Sequence, residues 1–167
     1  VEPVMVAKNG FPLMNYQLAQ ELIHVVLPHP YIVTTNITEA QILTGKTIHS
    51  IDDMQTAAQI IHSFGPRYVL VKGGHLTDDA IDLLFDGCSF FEYGTKRIKT
   101  KNTHGTGCTF SSAIAANLAL GKSVKEAIQV AKNYITMAIL HSLPLGHGCG
   151  PTHHFFEVYE NGFGDEA

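Results

Sequence analysis

The stretch NTHGTGCTFSSAIAANLALG, residues 102–121, joins a loop that contains two glycines to a long apolar helix. Gly105 and Gly107 permit backbone angles that other residues avoid, and they let the backbone approach a ligand closely. A helix that begins here directs its first free N–H groups and the positive end of its dipole toward the loop. The stretch therefore predicts an anion-binding site, and the alternative is a tight turn in which the glycines serve packing.

The cysteine of this stretch, Cys108, lies where the loop becomes the helix. The free amides and the dipole at a helix N-terminus stabilise the thiolate form of cysteine. Such a thiolate can accept a proton or attack an electrophile. We therefore predict a catalytic role for Cys108. The alternative is a small buried apolar residue, which is the usual role of a free cysteine.

The composition is that of a globular protein rather than of one that binds nucleic acid or membranes. The chain has 167 residues, of which 45% are hydrophobic and 16% are charged, and its net charge is -4. It contains no basic run, no signal-peptide pattern and no apolar run long enough to span a membrane. We therefore predict a single domain over residues 1–167, with neither nucleic acid nor a membrane as a partner.

The cysteines point to a reducing compartment. There are three of them, Cys88, Cys108 and Cys149, and they lie far apart in the chain. A small, odd and widely spaced set does not predict a disulfide framework. We therefore expect a cytoplasmic protein.

Apolar residues alternate along the chain between the period of strands and the period of helices. The predicted strands lie near 3–7, 31–36 and 67–74, and the predicted helices lie near 15–27, 38–44 and 50–65, after the glycine loop to about 120, and near 123–143. Ser50 with Asp53 and Ser123 with Glu126 predict capping boxes at the start of two of these helices, and the tail after them is predicted to be rich in loops. Asp86-Gly87 separates two further strand-like runs, which predicts an antiparallel hairpin. The pattern is typical of an α/β fold that has a mostly parallel sheet with a small antiparallel excursion. Because a buried strand is a poor start for a domain, we expect sequence to precede Val1.

Six motifs in this order resemble one kinase family: EPVMVAKNG, TTNITEAQILTG, YVLVKGGH, DLLFDG, TKNTHGTGCTFSSAIAANLALG and GHGCGPTHHF. The family is the hydroxymethylpyrimidine/phosphomethylpyrimidine kinases, the thiamine-pathway members of the ribokinase-like kinases. The resemblance covers the whole chain, which is similar to the last three-fifths of such a kinase. It implies a ribokinase-like three-layer sandwich that here lacks the N-terminal strands.

The resemblance implies ATP-dependent phosphorylation of 4-amino-5-hydroxymethyl-2-methylpyrimidine and then of its monophosphate. By position, Cys108 resembles the base that accepts the proton of the substrate hydroxyl. Gly105, Thr106 and Gly107, together with the Cys108 amide, would form the anion hole for the transferred phosphoryl group. Phosphoryl transfer needs mainly positioning and charge stabilisation, which oriented amides supply.

The resemblance also implies residues for the cofactors. Asn36 and Glu39 match an N-x-x-E motif and would hold Mg²⁺ through its water ligands. Lys72 would lie beside the phosphates of ATP, and Thr103 and His104 would also belong to the nucleotide site. From the residues alone, Glu39 is simply a favourable acid in the first turn of a helix. Lys72 is equally a lysine at a strand end that reaches solvent.

Two positions near the start of the chain bear on the substrate. Val4 resembles a residue that lines the pyrimidine pocket, although locally it reads as core. Glu2 stands where the family usually has Asp, and the longer acid would alter polar contacts near the active site. Some relatives that phosphorylate pyridoxal carry a cysteine in VMVCK, where this chain has Ala7. That difference favours the pyrimidine.

Several alternatives remain open. One is a pyridoxal kinase, and another is a truncated chain that binds nucleotide or only packs as a fragment. The tail residues His147, Cys149, His153 and His154 resemble soft metal ligands, but their spacing fits no closed zinc pattern. His75, like His104, either touches phosphates or is a polar end of its element. The resemblance also suggests a homodimer.

Overall fold

The computed structural model describes residues 1–7, 10–74 and 79–162 of the chain. The chain forms two compact units, Val1–Arg97 and Ile98–Ala167. The single domain over residues 1–167 stays a prediction. Within the described ranges, no helix is both long enough and apolar enough to cross a bilayer.

The first unit is built on a four-stranded sheet with the strand order β1-β2-β3-β4. Its strands are β1 (Ile32–Asn36), β2 (Tyr68–Lys72), β3 (Ala80–Phe85) and β4 (Phe90–Thr95), and its helices are α1 (Tyr16–Glu21), α2 (Ile37–Thr44) and α3 (Ile51–Ser63). Strands β1 and β2 are parallel, whereas β2–β3 and β3–β4 are antiparallel. The predicted α/β class is therefore confirmed. The antiparallel part supplies two of the three pairings in this sheet, a larger share than we expected.

The predicted hairpin between β3 and β4 is confirmed. Asp86 Oδ1 accepts hydrogen bonds from the amides of Cys88 at 2.9 Å and Ser89 at 2.7 Å. Gly87 has a φ of +94°, which a residue with a side chain rarely adopts. Local turn chemistry therefore fixes this connection, as the Asp-Gly pair predicted.

The hydrophobic core of the first unit lies between the sheet and the helices α2 and α3. Both helices begin at a capping box, formed by Asn36 with Glu39 for α2 and by Ser50 with Asp53 for α3. The strands contribute alternate buried residues to this core, as expected for side chains that share one sheet face. These residues are Val33, Val69, Val71, Leu83 and Phe85.

The start of the chain differs from the prediction. Residues 3–7 do not form a strand; Val6 makes only an isolated bridge with Pro12. The segment folds back, and the Leu13 amide donates to the Met5 carbonyl at 2.9 Å. Proline has no N–H to donate, so the ladder is interrupted at Pro12. The predicted helix at 15–27 is divided into α1 and a π-helical turn, Leu22–Val26.

The second unit consists mainly of two packed helices, α4 (Thr106–Ala119) and α5 (Val124–Leu140). The capping box predicted for Ser123 and Glu126 begins α5. Both helices bury apolar side chains, including Phe110 and Ile114 of α4. The tail, which we predicted to be loop-rich, also contains a short helix, α6 (Phe156–Asn161).

Candidate active site

The glycine loop leads into α4 as the sequence predicted. Gly105 is the N-cap residue, and its φ of +81° lies in the left-handed region that favours glycine. The Thr109 amide donates to the Gly105 carbonyl at 2.9 Å, which is the first intrahelical bond. The N–H groups of Thr106, Gly107 and Cys108 precede that bond and therefore have no intrahelical acceptor. Gly105 provides no side-chain cap for them.

The loop before α4 is held by hydrogen bonds to the backbone. The Thr106 hydroxyl donates to the Thr103 carbonyl at 2.8 Å. The His104 amide donates to the Gly150 carbonyl at 3.2 Å, while the His104 side chain is exposed. The backbone of this loop is thus fixed from within the second unit, and the imidazole of His104 is accessible to a ligand.

Cys108 is the third residue of α4, and it is free and exposed. The structure therefore contradicts the alternative of a small buried apolar residue. In one turn, this arrangement places the sulfur of Cys108 beside three helix-terminal amides of the kind that bind anions.

The second group of candidates lies in the first unit, at the ends of β1 and β2. The Lys72 ammonium donates to the Glu2 carboxylate, and both side chains are largely buried, with exposed fractions of 11% for Lys72 and 12% for Glu2. This contact contradicts the alternative in which Lys72 simply reaches solvent. From the sequence, Glu2 was noticed only as a departure from the family pattern. An acid ahead of a proline in a short apolar run was the available signal.

Glu39 is 2% exposed and has a structural role. Its carboxylate accepts hydrogen bonds from the amides of Asn36 at 2.9 Å and Met5 at 3.4 Å. The Asn36 side chain in turn accepts from the Glu39 amide at 2.9 Å. Burial raises the pKa of the Glu39 carboxyl, while the Asn36 hydrogen bond and the Lys72 charge oppose that increase. The helix-cap alternative is therefore present in the structure.

The same residues are suited to a magnesium ion. Glu39 interacts electrostatically with Lys72 and with Glu2, and Glu2 forms an ion pair with Lys72. The carboxylate oxygens of Glu2 and Glu39 are of the kind that Mg²⁺ prefers as ligands. A carboxylate has about four acceptor positions, so the two amide bonds to Glu39 leave capacity for the water shell of an ion.

A row of polar side chains crosses the sheet at Lys72. The strand registers pair Asn36 with Lys72, Lys72 with Asp82, and Asp82 with Tyr93. Directly paired residues lie on one face of a sheet, so each of these side chains lies beside the next one in the row. Asp82 was missed in the sequence, although an acid inside the apolar run AIDLLF is an indication of a buried polar role.

Asp82 also fixes the backbone that follows Lys72. Its Oδ1 accepts a hydrogen bond from the Gly73 amide at 3.1 Å. A Cβ atom added to Gly73 would lie 2.0 Å from the carbonyl oxygen of Ile81, so this position excludes any side chain. The backbone after Lys72 is therefore closely fitted to β3.

The remaining candidates have mixed outcomes. Val4 is 40% exposed, which contradicts the reading of this residue as core and leaves its substrate contact a prediction. In residues 1–7, 10–74 and 79–162, no three His, Cys, Asp or Glu residues are grouped so that they could hold a metal ion. The tail histidines and Cys149 therefore form no such group. His75 lies outside the described residues.

Known proteins resemble this chain along most of its length. The profile of the family described as phosphomethylpyrimidine kinase matches residues 1–153. A hydroxymethylpyrimidine/phosphomethylpyrimidine kinase of Bacillus subtilis is 43% identical over 93% of this chain and 58% of its own length. A thiamine biosynthesis bifunctional protein, ThiED, of Geobacter sulfurreducens is 50% identical over 92% of this chain and 32% of its own length.

Among solved structures, the pyridoxal kinase from Staphylococcus aureus in complex with AMP-PCP has a TM-score of 0.85 and 38% identity. The similarity covers 92% of this chain and 56% of that one. The fold is thus that of the ribokinase-like kinases, as expected. Within that class, the chain belongs to the phosphomethylpyrimidine kinase family. It spans 58% of the Bacillus relative and 32% of the bifunctional one.

Proposed function

We propose that the protein transfers the γ-phosphoryl group of ATP to 4-amino-5-hydroxymethyl-2-methylpyrimidine, and then a second phosphoryl group to the resulting monophosphate. The observation that carries this proposal is the start of α4, where an exposed Cys108 thiol accompanies three helix-terminal amides. Membership of the phosphomethylpyrimidine kinase family supports the choice of substrate.

In the first transfer, the Cys108 sulfur accepts the proton of the substrate hydroxyl. The hydroxyl oxygen bonds to the γ-phosphorus, and the bond from that phosphorus to the ADP oxygen breaks. The amides of Thr106, Gly107 and Cys108, with Gly105 shaping the turn, bind the non-bridging oxygens of the transferred group. The sulfur thus handles the proton and the amides stabilise the charge. These roles agree with the requirements of phosphoryl transfer, in which electrostatic stabilisation dominates.

The second transfer differs in its need for a base. The acceptor is now a phosphate oxygen, and the second pKa of a phosphate monoester is about 6. Near neutral pH this oxygen has mostly lost its proton already. Cys108 therefore contributes a proton acceptor to the first transfer but not to the second.

The remaining proposed roles concern ATP and its metal ion. Lys72 neutralises phosphate charge, and Thr103 and His104 contact the nucleotide. Asn36 and Glu39 would hold Mg²⁺ through its waters, and the ion would neutralise charge on the phosphates of ATP. The complex of the Staphylococcus kinase with AMP-PCP, an ATP analogue, supports the use of ATP.

Further parts of the proposal concern the substrate contact and the setting of the protein. Val4 contacts the pyrimidine.

The protein acts as a homodimer in the cytoplasm on small molecules. Light scattering in solution tests the dimer, and a monomer mass would contradict it.

The decisive experiment compares three acceptors: the hydroxymethylpyrimidine, its monophosphate and pyridoxal. Transfer of labelled phosphate from Mg-ATP is measured for each acceptor under the same conditions. We expect transfer to both pyrimidines, with a kcat/KM higher than that for pyridoxal. Preference for pyridoxal would replace the proposed substrate, and no transfer to any acceptor would leave the non-catalytic alternative.

The pyridoxal alternative has a specific observation in its favour. Proteins of similar fold include pyridoxal kinases from Staphylococcus aureus and Bacillus subtilis, with TM-scores of 0.85 and 0.82. Ala7, in place of the cysteine of VMVCK, opposes it. The direct discriminating observation is the ratio of kcat/KM values for the pyrimidine and pyridoxal.

A further inference from the structure

The tail motif that the proposed function leaves without a role forms a strap, residues 150–153, in the second unit. On one side, the Gly150 carbonyl accepts from the His104 amide at 3.2 Å, and Pro151 forms a parallel bridge with His104. On the other side, the Pro151 carbonyl accepts from the Leu143 amide at 3.2 Å, and the His153 amide donates to the Ala138 carbonyl at 2.9 Å. The strap therefore ties the loop before α4 to the end of α5.

One side chain completes this connection. Asn102 is 7% exposed, and its Oδ1 accepts a hydrogen bond from the Gly150 amide at 3.1 Å. The backbone amide of Asn102 donates to the Thr100 hydroxyl at 3.1 Å, so the residue is held at its backbone as well. Asn102 is thus bonded both to its own loop and to the strap.

The strap leaves no space at Gly150. A Cβ atom added there would lie 2.5 Å from Asn102 Oδ1 and 2.6 Å from the carbonyl oxygen of Leu143. Real side chains do not tolerate either distance, so the segment would have to move. The contact between Asn102 and Gly150 therefore fixes both partners closely.

We propose that Asn102 is a positioning residue for phosphoryl transfer. By fixing the strap, it holds the loop at His104 and Gly105, and hence the direction in which the first amides of α4 point. This inference rests on the proposed function of those amides. Oriented donors act at full strength only when they are held in place before the reaction, and a displacement of about 1 Å can cost about a hundredfold in rate.

The test is the steady-state kinetics of Asn102→Ala with Mg-ATP and the hydroxymethylpyrimidine. We expect kcat to fall by about 30- to 100-fold, because the amides act mainly in the transition state. We expect KM for ATP to change by less than about threefold, because most contacts in the ground state are unaffected. An unchanged kcat, or a change confined to KM, would contradict the proposal.

A matched control is Asn117→Ala, near the other end of α4. The Asn117 side chain donates to the Ala113 carbonyl at 2.9 Å, so this variant also removes one asparagine hydrogen bond from the second unit. We expect its kcat to stay within about twofold of the wild-type value. A similar loss in both variants would indicate general destabilisation instead of positioning.

A double-variant cycle tests the mechanism. Asn102→Ala and Gly150→Ala disturb the same contact, so their effects on kcat should not add. We expect the double variant to lose little more activity than the more damaging single variant. Additive losses would show that Asn102 acts independently of the strap.

Amide hydrogen exchange separates failure of this inference from failure of the proposed function. In Asn102→Ala we expect peptides that cover residues 103–108 to exchange at least about tenfold faster, with little change in the first unit. If the wild-type protein transfers phosphate to no acceptor, the proposed function and the catalytic part of this inference both fail. Unchanged exchange at residues 103–108 would overturn the anchoring role whether or not the wild type is active.

Discussion

At the scale of single residues, the sequence identified the loop of the second unit better than the charged cluster of the first. Gly105 and Cys108 were recognisable because a loop, a helix start and a cysteine adjoin in the sequence. The partner of Glu2 and the role of Asp82 were missed because they depend on Lys72 and Gly73, which come near only when separate segments of the chain meet in the fold. Local order can be read from a sequence, whereas cross-strand partners need the register.

Replacement of Cys108 by alanine tests the proposed base. We expect Cys108→Ala to lower kcat for the hydroxymethylpyrimidine by at least about a hundredfold, as is usual for a general base. The loss with the monophosphate should be smaller, because that acceptor has no hydroxyl proton to give up. Affinity for ATP, measured by calorimetry, should be retained.

Cys88→Ala is the control, since Cys88 is also free and exposed but lies in the β3–β4 hairpin turn. It should leave both transfers unchanged. Wild-type turnover by Cys108→Ala would refute the base assignment. Equal losses of kcat for the hydroxymethylpyrimidine and its monophosphate would refute the proposal that only the first transfer needs Cys108 as a base.

The buried Glu39 carboxyl makes a distinctive contribution to the pH dependence of stability. Its pKa is raised, chiefly by burial, above the ordinary value of 4.5. At pH values between 4.5 and the raised pKa of the folded state, the folded state holds a proton that the unfolded state has released. The free energy of unfolding therefore falls as pH rises through this range. The contribution is complete below pH 4.5 and is lost as pH rises through the folded-state pKa. Urea unfolding of wild type and Glu39→Gln from pH 4 upward should show the wild type losing stability relative to the variant.

Glu126 provides a control of opposite sign. Hydrogen bonds from Ser123 lower the pKa of the Glu126 carboxyl, so its contribution is present above 4.5 and is lost as pH falls through the folded-state pKa. The wild type should therefore gain stability relative to Glu126→Gln as pH rises. For each variant, the difference in the free energy of unfolding between wild type and variant is followed against pH. If this difference changed in the same direction with pH for Glu39→Gln and Glu126→Gln, the raised pKa assigned to Glu39 would be wrong.

At the scale of elements, helices and turns were the most predictable parts. Capping boxes at Ser50 and Ser123 and the Asp86-Gly87 hairpin each depend on residues adjacent in sequence, and all were confirmed. The strand predicted at 3–7 was wrong, because apolar residues indicate burial but do not identify a partner strand. The π-helical turn and α6 were missed because neither has a strong local signal.

The cap of α3 provides a test of element stability. Ser50 Oγ accepts from the Asp53 amide at 3.1 Å, and α3 inserts Met54 and Ile61 into the core of the first unit. We expect Ser50→Ala to lower the free energy of unfolding by about 1 kcal/mol, measured by urea denaturation.

Ser63→Ala, at the other end of α3, is the matched control. The Ser63 hydroxyl donates to the Ile60 carbonyl at 2.6 Å and caps no free amide. Its loss should change the free energy of unfolding by less than about 0.5 kcal/mol. Equal decreases in the free energy of unfolding for Ser50→Ala and Ser63→Ala would show that the N-cap hydrogen bond of α3 does not stabilise the protein more than an ordinary serine hydrogen bond.

At the scale of the whole molecule, the two compact units raise the question of cooperativity. The chain contains no tryptophan, so one introduced tryptophan would report on its own unit. Tyr31→Trp and Tyr159→Trp are suitable because both side chains are well exposed and lie in different units. For a single domain, we expect both fluorescence signals to change at the same urea concentration. Two separated midpoints would contradict the single domain.

The exclusion of a side chain at Gly73 has a consequence for enzyme engineering. A library that randomises the end of β2 would lose nearly all of its diversity at Gly73. The neighbouring Gly74 is different, because a Cβ atom added there meets nothing within 4 Å. Diversity is therefore better placed at Gly74, with Gly73 and its Asp82 partner kept constant through every round of selection.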